Sequence, residues 1–136
     1  MKYLVDANVV SEGIKTEPVG RVIDWLRANE SGCAVNPVVL GEVRYGILVL
    51  PEGSRRKRLE RWFWDGVAKV ECLPLDGGTG LRWAELLGDL RRRGVAIPVK
   101  DSLIAATALE YGLTVATRNV RDFVKAGVKV VNPFEG

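Results

Sequence analysis

At 136 residues, 47% apolar and 27% charged, the chain has the length and composition of one folded domain spanning residues 1–136, and intrinsic disorder is set aside. No apolar run reaches the ~20 residues of a membrane-spanning helix, and Asp6 and Glu12 interrupt any signal-peptide pattern, so a cytoplasmic protein with no membrane partner is expected. The net charge is a mild +3, and the absence of histidine removes His-based triads, His acid–base pairs and nearly all zinc sites.

The first strand is predicted over residues 2–6. Tyr3, Leu4 and Val5 are apolar without alternation, as in a strand buried on both faces. A helix follows over 8–15. Thr16-Glu17-Pro18 then restarts a helix, with Thr16 as its cap and Val19, Val22, Ile23 and Leu26 at helical spacing as far as Asn29. Cys33-Ala34-Val35 is a second strand, and Asn36-Pro37 opens a third helix that runs to Leu50. After the break at Pro51, Gly53 and Ser54, one helix over 55–70 carries Leu59, Trp62, Phe63 and Val67 on one side. Cys72-Leu73 is a third strand closed by Pro74.

Asp76-Gly77-Gly78-Thr79-Gly80 is predicted as a loop before a helix over 81–93. It lacks the Lys and the spacing of a phosphate-binding loop. Lys100-Asp101 leads into a helix over 102–111, with Gly112 as its C-terminal cap. Strands over 113–116 and 128–131 flank a short helix over 119–125. Strands alternating with helices imply an α/β fold, three layers α/β/α, with a five-stranded parallel sheet and right-handed crossovers.

Acids recur where such sheets place ligands, beyond the carboxyl ends of strands. Asp6 ends the first apolar run, and Asp6 and Asn8 are also ordinary helix caps. Glu42 has Val38, Val39, Tyr45 and Gly46 as its helical neighbours, so no basic partner lies on its own face. Asp101 precedes an almost wholly apolar helix, either as its cap or pointing into a cleft. Asn119 and Asp122 have the spacing of a capping box, and they too follow a strand. Clustered carboxylates repel one another, and a divalent cation relieves the repulsion.

At these residues the chain resembles the PIN-domain ribonucleases, specifically the VapC-type toxins of toxin–antitoxin pairs. The matching pieces are Asp6-Ala7-Asn8-Val9-Val10-Ser11-Glu12, Gly41-Glu42-Val43-Arg44-Tyr45-Gly46, Asp101-Ser102-Leu103-Ile104-Ala105-Ala106, Thr117-Arg118-Asn119-Val120-Arg121-Asp122-Phe123 and the closing Asn132-Pro133-Phe134. The resemblance implies a Mg²⁺- or Mn²⁺-dependent endoribonuclease, with Asp6, Glu42 and Asp101 as acidic ligands. Many members carry a fourth acid after Thr-Arg. Here Asn119 stands there and the nearest acid is Asp122, so either fills the fourth position. Asn8, Thr117 and Asn119 are then groups that orient the ligands. The resemblance further implies a homodimer and a cognate VapB-type antitoxin whose tail occupies a groove near the site. Metal-assisted hydrolysis needs no RNA 2′-hydroxyl, so 5′-phosphate and 3′-hydroxyl ends are expected.

Arg55, Arg56 and Arg58, with Lys57 and Arg61, form a basic cluster suited to RNA phosphates, or else a solvated helix end. Arg91-Arg92-Arg93 offers the same alternatives. Trp62-Phe63-Trp64 cannot all point inward, so one aromatic is expected to be exposed or at an interface. The competing reading is a catalytically silent PIN-like or other α/β binding module, favoured by Asn119. A haloacid-dehalogenase-type phosphotransferase would want an Asp at position 8, where this chain has Asn8.

Overall fold

The computed structural model describes residues 1–135. Four parallel strands form the sheet: β1 (Tyr3–Val5), β2 (Cys33–Ala34), β3 (Thr114–Ala116) and β4 (Val130–Val131), in the order β2-β1-β3-β4. Alternate residues face opposite ways. Leu4 and Val115 enter one core, while Val5 and Ala116 enter a second. Both faces are thus covered, and the three-layer α/β/α expectation holds.

The larger core packs helices α3 (Pro37–Leu48), α4 (Ser54–Asp65), α5 (Gly77–Arg93) and α6 (Val99–Tyr111) against the sheet through Val39, Val43, Ile47, Phe63, Leu86 and Ile104. The smaller core holds Val9 of α1 (Ala7–Val10) and Val22 of α2 (Gly20–Asn29), with Trp25 edge-on to Tyr3. Helix α7 (Val120–Lys125) sends Phe123 into the larger core. Among the described residues, no helix is long and apolar enough to cross a membrane.

The expected fifth strand is reduced to a single bridge. Val35 N donates to Glu71 O at 2.9 Å and Leu73 N donates to Val35 O at 2.8 Å, pairing Val35 with Cys72. The next ladder bond would run from the N–H of residue 37 to Leu73 O, and Pro37 has no N–H and opens α3 instead. Other boundaries move for local reasons. The helix expected over 8–15 is α1 followed by a 3₁₀ turn, Ser11–Ile14. Thr16 caps nothing: α2 begins at Gly20, and the Glu12 carboxylate takes the Val19 N–H at 3.1 Å. The helix over 55–70 breaks at Gly66 and resumes as a 3₁₀ turn, Val67–Lys69.

The glycine-rich stretch after Asp76 is helical, not loop. Asp76 accepts from Thr79 N and from Thr79 Oγ1, both at 3.0 Å, and that cap starts α5 four residues earlier than its glycines suggest. Asn36 starts α3 in the same way, accepting from Val39 N at 3.0 Å while its amide donates to buried Thr107. Gly94 and Gly112 end α5 and α6 at φ of 68° and 66°, a conformation costly for any residue with a Cβ.

Candidate active site

The chain leaves β1 for β2 on one side and later returns to β3 on the other. Asp6 and Thr117 therefore sit side by side at the carboxyl ends of adjacent strands, where the strand order reverses. Asp6 N donates to Ala116 O at 2.9 Å, and Asp6 Oδ1 accepts from Ala7 N at 2.8 Å as the cap of α1. Its other oxygen accepts from Thr117 Oγ1 at 2.7 Å and from Asn8 Nδ2 at 3.3 Å. Thr117 Oγ1 in turn accepts from Asn119 N at 2.9 Å, and Asn8 Oδ1 from Arg118 N at 3.1 Å. Asn8 and Thr117, expected as orienting groups, thus both touch Asp6. Asp6 is 4% exposed, so this network is what makes its burial tolerable.

Asp101 is not the cap of α6. Pro98 takes that position, and Asp101 lies in the first turn, 8% exposed. The helix starts earlier because Ser102 N reaches Pro98 O at 3.0 Å. Asn119 is not a capping-box residue either. Its amide donates to Asp101 Oδ2 at 2.7 Å and to Asp122 Oδ2 at 2.9 Å, bridging two acids. Both residues proposed for the fourth position are therefore at the cleft, joined to each other.

Glu42 does find a basic partner, on another helix. Lys100 Nζ donates to Glu42 Oε2 at 3.1 Å, across 58 residues of sequence. Helical neighbour counting within α3 could not reveal it. A signal was present nonetheless, since Lys100 immediately precedes Asp101 in the electropositive first turn of a helix, where cations are disfavoured.

Charge crowding marks the cleft. Burial, then the charges of Asp6, Asp122 and Glu42, push the Asp101 carboxyl up to about 6, with Lys100 pulling the other way. Burial also pushes the Asp6 carboxyl up, against its hydrogen bonds from Thr117 and Ala7. This is the electrostatic state a cation relieves. The donors available are carboxylate and amide oxygens, the set that hard divalent ions prefer. Among the described residues, no three acidic or Cys side chains already enclose an ion-sized position; Lys100 holds Glu42, and Asn119 holds Asp101 and Asp122.

The basic residues divide. Arg56 is committed to Glu60, at 3.5 Å, and to Leu50 O, at 3.4 Å. Arg55 and Arg58 are exposed beside Lys15 and the 3₁₀ turn after α1. Of the three aromatics in a row, Phe63 is buried and Trp64 is 55% exposed, as the spacing required. A cavity of about 360 Å³ lies between Leu26, Cys33, Trp62 and Val67, and none of Asp6, Glu42, Asp101 and Asp122 lines it.

Three comparisons place this architecture. Plasmid stability protein StbB of Pseudomonas syringae pv. tomato is 37% identical over 97% of this chain and 98% of its own length. VapC ribonuclease Y4jK of Sinorhizobium fredii is 34% identical, covering 97% of each chain. The crystal structure of FitAcB from Neisseria gonorrhoeae superposes with a TM-score of 0.92 at 30% identity, over 98% of this chain and 99% of that one. The family model described as PIN domain matches residues 3–129, and the chain belongs to the PIN domain family.

Proposed function

We propose that the protein is a Mg²⁺- or Mn²⁺-dependent endoribonuclease of the cytoplasm, the toxin of a VapBC-type pair held inactive by its cognate antitoxin. The observation that carries this reading is the convergence of Asp6, Glu42, Asp101 and Asp122 on one cleft at the strand ends, with Thr117 and Asn119 hydrogen-bonded to three of them. The relatives named for plasmid stability and as a VapC ribonuclease support the toxin and RNase parts.

Asp6, Asp101 and Glu42 would hold the ion, with Asp122 at the fourth position. Bound there, it would supply Lewis acidity to the attacking water and the leaving oxygen. The chain's own groups do the positioning. Thr117 and Asn8 fix the rotamer of Asp6, and Asn119 sets the spacing of Asp101 and Asp122. Exposed Arg55 and Arg58 would take RNA phosphates, which fixes register without reading sequence. Exposed Tyr45, Leu48 and Val49 at the end of α3 suit the expected homodimer.

The decisive experiment uses protein purified free of any partner, a mixed-sequence RNA, and Mg²⁺, Mn²⁺ or EDTA. Cleavage with metal, 5′-phosphate ends, and loss of activity in Asp6→Asn are expected. No cleavage by the folded protein with either ion would transfer the reading to a silent PIN-like binding module, in which Asn119 merely ties two acids together.

A further inference from the structure

Lys100 stands where a lysine gains nothing from its own helix. It is the second residue of α6, at the electropositive end. Its side chain is 62% exposed, so water is open to it. Yet its ammonium reaches across to α3 and donates to Glu42 Oε2 at 3.1 Å. The same charge opposes the crowding at Asp6 and at Asp101. One cation therefore serves all three carboxylates assigned to the ion.

We propose that Lys100 is a positioning residue that acts as the resident counter-cation of the cleft: its ammonium holds the Glu42 carboxylate, and an incoming divalent ion has to displace it. The inference rests on the nuclease reading above and adds a control to the same site. Entry of the ion breaks the Lys100–Glu42 pair, so affinity for metal is set below what the acids alone would give. The metal-free protein, in return, avoids leaving Asp6, Glu42 and Asp101 with no cation among them, while Asp122 has Lys125 at 4.0 Å.

Titration calorimetry with Mn²⁺ alone, on the whole chain without RNA, tests this. Lys100→Gln is expected to bind Mn²⁺ about tenfold more tightly than wild type. Lys100→Arg keeps the cation and is expected to stay near wild type. In EDTA, Lys100→Gln should melt lower than wild type, and Mn²⁺ should raise its melting temperature by more. Equal or weaker Mn²⁺ affinity in Lys100→Gln overturns the proposal. Asp101→Asn examines the nuclease reading separately. Binding by wild type that is lost in Asp101→Asn leaves the ion site standing whatever Lys100 does. If neither wild type nor Lys100→Gln binds Mn²⁺, both readings fall.

Discussion

Asp101 is the side chain whose charge the cleft controls most. Its carboxyl titrates at about 6 in the folded protein against an ordinary 3.8, so the folded state holds the proton more tightly than the unfolded chain does. The resulting destabilisation is absent below 3.8, grows up to about 6 and is complete above that. Asp101→Asn in metal-free buffer is therefore expected to stabilise the protein at pH 7 by about 1 kcal/mol, allowing for solvent at the cleft mouth, and to change little at pH 3.5. Thermal unfolding at the two pH values reads this directly. A lower melting temperature at pH 7 would make Asp101 structural. The acids were legible residue by residue because each interrupts or borders an apolar run. Their partners were not. Lys100 and Glu42 lie on different helices, and the bridging role of Asn119 depends on where α6 and α7 meet, which no local spacing encodes.

At the scale of elements, caps outweigh composition. Gly77, Gly78 and Gly80 are poor helix formers, yet the turn containing them is helical because Asp76 binds both Thr79 N and Thr79 Oγ1. Asp76→Ala is expected to lower the midpoint of urea unfolding, because the first turn of α5 loses its cap. An unchanged midpoint would mean that packing of α5 on α6 alone sets the start. The glycines made this start read as a loop, since composition weighs every position alike and a cap acts at one. The lost strand has the opposite cause. Two apolar residues at Cys72-Leu73 look like the other short strands, but their pairing stops at the single partner Val35, because the neighbouring segment turns into α3 at Pro37. The three-layer order was legible because strands and helices alternate along the chain. The choice of which strands pair depends on contacts between distant segments.

For the whole molecule, charge is unevenly spread: an acidic cleft sits on a chain of net charge +3. Arg55→Glu with Arg58→Glu is expected to weaken RNA binding and flatten its dependence on salt by about 1–2 in logarithmic slope. Filter binding across a salt series measures it, and an unchanged slope would leave these residues as a solvated face. Arg56 is spared because Glu60 already holds it. The contact between Asp6 and Thr117 joins positions 111 residues apart. No partial chain that stops short of Thr117 can assemble the cleft, however well its early helices form. Assembly of this group of acids and global folding are then one cooperative event, and RNA cleavage is expected to disappear along the same denaturant curve as the buried aromatics. A nascent chain still waiting for its last strands carries no assembled site, so the ribosome making it does so beside a protein that cannot yet cut RNA.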